Sequence, residues 1–360
     1  MTSARRHAVL FWCGGLALFV ILLFLFREIL LPFVVGAAFA YAFQPLADRL
    51  QRVIGSRAMA AGAVVLLTIL LLVAILLVVA PLLANQMVAL LVGLPDYFSR
   101  LMEMAAPALT QPWAKYLGID AVSIRASLSS VAGQGVGLAT TLIGSLWTGG
   151  WVVVNIVSLL VVTPFISFYL LRDWHLVTNR LDQLIPRPNA DEIRRIAHEI
   201  DHNISAFVRG QLLVALLLGI YYAAALGLLG LNYGLLIGLS AGLLSFVPFL
   251  GMTTGFVVSL GMAFAQFWPS WPQIVAVVII FIIGEALESY VLQPRLIGRR
   301  VGLHPVWVIF ALFAFGLLFG FVGLFLAIPI AAAIGVVWRF GLEKYEGSFL
   351  YKGDGRRERP

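Results

Sequence analysis

Two carboxylates stand in the stretch GEALESYVLQPRLIGRR, residues 284–300, directly after a long apolar run. Glu285 and Glu288 are three residues apart, so an α-helix would place both on one face. A carboxylate in a low-dielectric setting is costly when charged, and it can take up a proton or bind a cation. This chemistry predicts that Glu285 and Glu288 couple transport to the binding of a proton or an ion.

An ion-pair ladder is the structural alternative for the same stretch. On a helix, Arg295 lies on the face of both carboxylates, about 10 Å of helix rise beyond Glu288. An arginine near the membrane surface could pair with Glu288 or extend toward water. Both interpretations stay open at this point. Because Glu285 is about one turn deeper, we expect burial to affect it more strongly than Glu288.

Glycines recur every fourth residue in the run GLLIGLSAG, where Gly234, Gly238 and Gly242 share one helix face. Such a face lets another helix approach closely. The run also contains G-x-S-x-G around Ser240, the pattern of serine-hydrolase nucleophiles. That pattern needs a strand, a sharp turn and a histidine base, whereas this serine lies in a continuous apolar run. We therefore predict helix packing here and no enzyme activity.

Prolines interrupt several apolar runs, and each one removes a backbone hydrogen bond. The stretches GLLSFVP (242–248) and GLFLAIP (323–329) share Gly-Leu, four further residues and Pro. Paired broken helices of this kind are typical of transporters with internal repeats, although simple kinking gives the same pattern. The predicted helix-break and packing positions are Pro248, Pro294, Pro329, Gly238, Gly242 and Gly323.

Composition places these residues in a membrane, since 61% of the 360 residues are hydrophobic and 11% are charged. The net charge of +7 would suggest nucleic acid in a soluble chain, but here basic residues flank apolar runs as topology determinants. We therefore expect membrane lipid and no nucleic acid as a partner. A single cysteine, Cys13, excludes an intrachain disulfide, and no metal, nucleotide or cofactor motif occurs.

The apolar runs predict an all-α, polytopic membrane protein with about eight spans plus a C-terminal hairpin of short segments. The predicted spans are 8–26, 29–44, 58–84, 142–171, 211–231, 234–250, 251–267 and 272–292, followed by a block at 305–338. This last block is too long for one crossing and contains Gly316, Gly320 and Gly323, so we expect it to fold back on itself.

Charge distribution predicts that both termini are cytoplasmic, because basic residues near span ends favour that side. With this orientation, the basic residues that fall outside are Arg27, Arg100, Lys115 and Arg125. The predicted regions are N-terminal helices (1–84), an extracytoplasmic interfacial helix and loop (85–141), a transmembrane helix (142–171), a cytoplasmic amphipathic arm (172–210), a transport core with broken helices (211–338) and a basic tail (339–360).

The arm at 172–210 combines a helix start with one apolar face. Asn189 can cap a helix, and Glu192 stands where a capping box places its acid. The arm can lie on the bilayer or on the protein's own cytoplasmic surface, or it can join subunits.

Four stretches of the chain resemble a known family. They are PFISFYLLRD (164–173), GQLLVALLLGIYY (210–222), LLSFVPFLG (243–251) and LESYVLQPRLIGRRVGLHP continuing to LFGFVGLFLAIP (287–329). In order and spacing they resemble the autoinducer-2 exporter (AI-2E) family of bacterial transporters over nearly the whole chain. The resemblance implies a multi-pass inner-membrane protein that exports a small molecule such as a furanone-type signal, or exchanges sodium or lithium for protons. It also implies a homo-oligomer, for which we predict a pentamer.

The resemblance adds two residues to the predicted coupling site. By motif position, Glu288 and Pro294 match the family's glutamate and proline, Asp173 ends the FYLLRD stretch, and Gln211 follows Gly210. Three positions depart from the family pattern, where Ser245 is often Asn, Met252 often Pro and Glu285 often Gln. A second acid at Glu285 favours proton or cation coupling.

Three functions follow, in order of preference. The first is a secondary transporter that exports a small polar solute, and the second is a sodium or lithium/proton antiporter. The third is a non-transporting membrane scaffold that acts through the arm.

Overall fold

The computed structural model describes residues 14–15, 18, 21–26, 29–109, 150–187, 190–297, 304–348 and 351. Its elements are α1 (Leu30–Ile54), α2 (Arg57–Leu109), α3 (Gly150–Gln183), α4 (Ala190–Leu228), α5 (Gly234–Leu244), α6 (Leu250–Phe267), α7 (Trp271–Ala286), a π-helix (Leu287–Ile297) and α8 (Pro305–Glu346). These residues contain no strand, and six of their helices are long and apolar enough to cross a membrane. The predicted all-α, polytopic class is confirmed.

Several predicted boundaries differ from the observed helix ends. Helix α2 continues through Pro81 to Leu109, so it does not end where the span 58–84 was predicted to end. Helix α4 begins at Ala190 and ends at Leu228, so most of the arm and the span after it form one helix. The sequence changes polarity at these places, but polar residues such as Gln86 and Gln211 are good helix formers. Asn189 lies outside the described residues, and so does most of the first predicted span, 8–26.

The described residues form two compact units. The first unit is drawn from 1–66, 158–209 and 297–360, and the second from 67–157 and 210–296. The C-terminal part of α4 and helices α5, α6 and α7 belong to the second unit, as do both glutamates of the predicted site.

In the second unit, α5 lies antiparallel to the C-terminal part of α4 at backbone contact distance. A Cβ atom at Gly242 would overlap the Cα of Gly219, and one at Gly238 would lie 2.5 Å from the Cα of Ala223. The contact between α4 and the glycine face of α5 therefore leaves no room for a side chain at Gly238 or Gly242. Helix α6 then packs against both α5 and α7, which completes the helical bundle around this hairpin.

Residues with unusual backbone angles stand directly before helices α5 and α6. Tyr233 (φ 61°) precedes α5 and Phe249 (φ 66°) precedes α6, and both lie in the left-handed region that bulky side chains avoid. Such residues cost about 1–3 kcal/mol each and persist only where the surrounding packing fixes them. Pro248 lies in the turn between α5 and α6, so the chain does break near this predicted position.

The second predicted proline break is replaced by a glycine break. Pro329 lies inside α8, whereas Gly320 has the non-helical angles φ 59° and ψ −136°, which only glycine adopts readily. The stretches 242–248 and 323–329 therefore do not share a conformation, and they do not form a structural repeat. A proline can remain within a helix as a kink, but a helix cannot continue through the angles of Gly320.

At Gly320 the chain folds back on itself. A Cβ at Gly323 would overlap the carbonyl oxygen of Phe315, and one at Gly316 would lie 2.9 Å from the side chain of Leu324. In a continuous helix, residues eight apart are separated by about 12 Å. The predicted hairpin within 305–338 is confirmed.

In the first unit, the start of α4 pairs with the end of α8. Three ion pairs run antiparallel along the two helices: Glu192 with Lys344 (2.9 Å), Glu199 with Arg339 (3.0 Å) and Arg195 with Glu343 (3.7 Å). Asp182 of α3 accepts two hydrogen bonds from Arg194, which lowers the pKa of this carboxyl group. The charged face of the arm thus lies against the same chain's own C-terminal helix.

The glycine contact between α4 and α5 predicts a sharp difference between two alanine substitutions. Gly238→Ala places a methyl group against backbone atoms, which cannot move aside, so we expect a loss of about 1–3 kcal/mol or more in the free energy of unfolding. Gly261→Ala is the matched control, because a Cβ there would meet no atom within 4 Å. Denaturation of both purified variants in detergent measures the difference. Equal stability of the two variants would contradict the observed packing.

Candidate functional site

Glu288 is the only charged side chain that is buried among the described residues, with 7% of its surface exposed. It lies in the first turn of the π-helix Leu287–Ile297, which continues directly from α7. π-Helices are rare, and they occur often at functional sites. Pro294 lies in this segment and lacks an N–H, so it donates no backbone hydrogen bond there.

The π-helix changes which side chains meet. Residues five apart lie one above the other in this geometry, and the Gln293 Nε2 donates a hydrogen bond to the Glu288 Oε1 (3.1 Å). The ladder alternative required a pair between Glu288 and Arg295. No ion pair joins these two described residues, and the Arg295 side chain is exposed. Among the described residues, Glu288 is therefore held by the Gln293 amide and not by Arg295.

Glu285 is less buried than Glu288, contrary to the order expected from depth along the helix. Its carboxylate accepts a hydrogen bond from the Ser289 hydroxyl (3.0 Å), and its side chain is partly exposed. The buried stripe of this segment consists of Ile274, Val277, Phe281, Gly284 and Glu288, at steps of three and four residues. Glu288 continues that stripe and Glu285 lies beside it, so helix face decides burial here.

Tyr222 is a site residue that the sequence did not reveal. Its side chain is completely buried on α4, and its ring stacks on Phe281 with a centroid distance of 4.7 Å. Its hydroxyl lies against Gly284, where a Cβ would overlap it. That hydroxyl has no hydrogen-bond partner in the structure, and both Glu288 and Glu285 act on it electrostatically. A tyrosine in an apolar helix gives no sequence pattern that separates a site residue from core.

Gln211 has a structural contact that accounts for its burial. Its Nε2 donates to the backbone carbonyl of Ser245 (2.5 Å), the residue that ends α5, and 2% of its side chain is exposed. Helix ends leave carbonyl groups unpaired, and a buried side-chain donor removes that cost. In this geometry Gln211 stabilises the end of the broken helix.

Asp173 belongs to the first unit, on α3. Arg172 donates two hydrogen bonds to it (2.8 and 2.7 Å), which lowers the pKa of its carboxyl group. The guanidinium also lies 4.5 Å from the ring centroid of Tyr169. A carboxylate held in this way stays ionised near neutral pH, which favours an ion-pair role over proton uptake.

Metal binding finds no support among the described residues, in which no group of three His, Cys, Asp or Glu side chains could hold a metal ion. The site in the second unit thus consists of a buried carboxylate, a neighbouring carboxylate, an amide and a hydroxyl. This set can bind a proton or a small cation.

Comparison with known proteins gives consistent results. Residues 14–342 match the model of the AI-2E family transporter. "Putative transport protein YueF" of Bacillus subtilis is 26% identical over 304 residues, which is 84% of this chain and 81% of that protein. "Putative permease PerM" of Escherichia coli is 28% identical over 323 residues, 88% of each chain. "Putative transport protein YrrI" of Bacillus subtilis is 33% identical over 174 residues, 48% of each chain.

The contact of Gln211 predicts which property its substitution changes. Gln211→Met keeps the volume but leaves the buried carbonyl of Ser245 unpaired, so we expect a loss of about 1–3 kcal/mol in the free energy of unfolding. The pH dependence of transport should stay unchanged, because the amide does not titrate. Denaturation and flux measured on the same preparation check both parts. A stable variant with an altered pH profile would instead assign Gln211 to coupling, as the sequence predicted.

Proposed function

The chain belongs to the AI-2E transporter family, and we propose that it is a secondary transporter in which Glu288 binds the coupling proton or cation. It is a multi-pass membrane transport protein, as its family and its helices show. The finer part of the proposal is that it exports a small polar solute across a bacterial inner membrane, as a homo-oligomer with both termini in the cytoplasm. The observation that carries the coupling proposal is that Glu288 is buried and has no cationic partner within the part of the chain that the structure describes.

The coupling role follows from the cost of charge at this position. An ionised carboxylate in an apolar bundle is unfavourable unless a cation or several donors stabilise it. Glu288 has one amide donor from Gln293, so its charged form is far from fully satisfied. Binding a proton or a cation removes that cost. The free energy of this binding therefore differs between conformations that expose Glu288 and conformations that bury it. A ligand shifts a conformational equilibrium only through such a difference in affinity.

The bundle around Glu288 contains elements that could change conformation during transport. Helix α5 has 11 residues, and the residues that precede α5 and α6 have strained backbone angles. Discontinuous helices of this kind surround substrate and ion sites in many secondary transporters. We propose that the turn between α5 and α6 moves when Glu288 changes its charge.

Sodium or lithium/proton antiport is the second candidate, and one observation favours it. Glu285 adds a second carboxylate three residues from Glu288, on the adjoining face. Two carboxylates and a hydroxyl offer the oxygen ligands that hard cations such as Na⁺ and Li⁺ prefer. Under this alternative, a cation and protons compete for the same pair of acids.

Substitution of Glu288 tests the proposal. Glu288→Gln preserves shape and hydrogen bonding but removes the charge change, so we expect folding to survive and coupled flux to fall at least about tenfold. Proteoliposomes with an imposed pH gradient and an internal pH dye measure proton movement upon addition of Na⁺ or Li⁺. Untargeted analysis of the medium of cells that express the wild-type or the Glu288→Gln protein measures solute export.

Two controls make the result specific. Glu199→Gln removes a half-exposed glutamate from the ion pair with Arg339 and should leave flux near normal. Glu285→Gln should weaken cation-driven proton movement if antiport is the activity, and should leave solute export in place if it is not. A monodisperse Glu288→Gln protein with normal flux in both assays and a normal pH profile would refute the coupling role.

A further inference from the structure

The side chain of Tyr222 is fixed in place by packing on both sides. Its ring stacks on Phe281 at an interplanar angle of 20°, and its hydroxyl lies against the Cα of Gly284. The side chain is fully buried, so the ring cannot turn toward solvent. The absence of a side chain at Gly284 is what allows the hydroxyl to reach this helix. The packing therefore brings a polar group directly to the turn that precedes the glutamates.

The hydroxyl groups of Tyr221 and Tyr222, which are neighbours on α4, differ in their hydrogen bonding. The Tyr221 hydroxyl donates to the backbone carbonyl of Ile280 (3.0 Å), as a buried tyrosine in an apolar bundle is expected to do. The Tyr222 hydroxyl is buried and has no hydrogen-bond partner among the described residues. A buried donor without a partner is unfavourable and rare, and such groups often have a functional role.

The charged groups that face the Tyr222 hydroxyl come from one segment. Glu288 and Glu285 act on it electrostatically from α7 and the π-helix, and Tyr221 acts on it from its own helix. The other two helices of the bundle, α5 and α6, contain no ionisable side chain. Gly284, which the hydroxyl touches, stands one helical turn before Glu288 on the same buried stripe. The carboxylates of this segment are therefore the charged acceptors near this hydroxyl.

We propose that Tyr222 is a positioning residue for coupling, whose hydroxyl donates to the Glu288 carboxylate when that carboxylate is ionised. The inference rests on the proposed function of Glu288. In the ionised state the hydroxyl adds a second donor to the one from Gln293, and in the protonated state it is released. The unpartnered hydroxyl observed here fits the released state. Tyr222 thereby sets the pH at which Glu288 gains its proton. The only bond that forms or breaks in this step is the one between the exchanged proton and oxygen.

Infrared difference spectroscopy of the purified protein in lipid, recorded over a pH series, tests the inference without knowledge of the solute. The stretching band of a protonated carboxyl group appears as Glu288 gains its proton, and Glu288→Gln identifies the band by removing it. Tyr222→Phe deletes only the hydroxyl and keeps the ring on Phe281. We expect it to move the midpoint of that band upward by about one pH unit, because a hydrogen bond to a charged group is worth about that much.

Tyr221→Phe is the matched control, since it deletes a hydroxyl that is bonded to a carbonyl in the adjacent position. It should leave the midpoint unchanged. Gly284→Ala is a second, independent variant, because its methyl group displaces the Tyr222 hydroxyl without changing the tyrosine. It should move the midpoint in the same direction, and it should add no further shift when Tyr222 is already Phe.

The outcomes separate the inference from the proposal on which it rests. If Glu288→Gln removes no titrating band, Glu288 does not take up a proton, and the proposed function fails together with the inference. If the band is present but Tyr222→Phe leaves its midpoint in place, Tyr222 has only a packing role and the inference alone is overturned. An equal shift in Tyr221→Phe would also overturn it, because the effect would then not depend on the unpartnered hydroxyl.

Discussion

The burial of one carboxylate, without a cationic partner among the described residues, is the constraint on which the second unit of this protein depends. Insertion scales place the cost of a charged residue at the centre of a membrane helix at about 2.5–3.5 kcal/mol. Glu288 is buried, and among the described residues the Gln293 amide is its hydrogen-bond donor. Glycine contacts between α4 and α5 bring these helices close together, and Glu288 is buried because it continues the buried stripe of α7. A group that only stabilised the fold would be an unusual choice at this position.

The second unit contains several local irregularities. The π-helix begins one residue before Glu288, α5 is short, and two aromatic residues with positive φ mark the turns around it. Each feature is unfavourable alone and persists because the surrounding packing fixes it. In the first unit, by contrast, charges are exposed and paired, as between the arm and the end of α8. The exposed ion pairs and the buried acid thus lie in different parts of the chain.

Much of the fold could be predicted from the sequence, because its determinants are local. Apolar runs indicated the helices, the four-residue glycine spacing indicated close packing at Gly238, and excess length indicated the reversal in 305–338. The position of the break could not be predicted, because proline and glycine can both interrupt a helix. The tertiary structure shows that the break lies at Gly320 and not at Pro329.

The site was predicted in part for a similar reason. Composition singled out Glu288, but the π-helix shifted the register that an α-helical ladder with Arg295 assumed. Gln211 and Tyr222 depend on partners 34 and 62 residues away, at Ser245 and Gly284, and spacing within one helix carries no information about them.

Charge displacement after a pH step tests the central claim most directly. Proteoliposomes adsorbed on a solid-supported membrane report the movement of charge within the protein when protons bind, and no transported solute is needed. The account predicts a transient current in the wild-type protein that is lost in Glu288→Gln and retained in Glu199→Gln. A current of unchanged size and pH dependence in Glu288→Gln would show that another group binds the proton, and it would contradict the account.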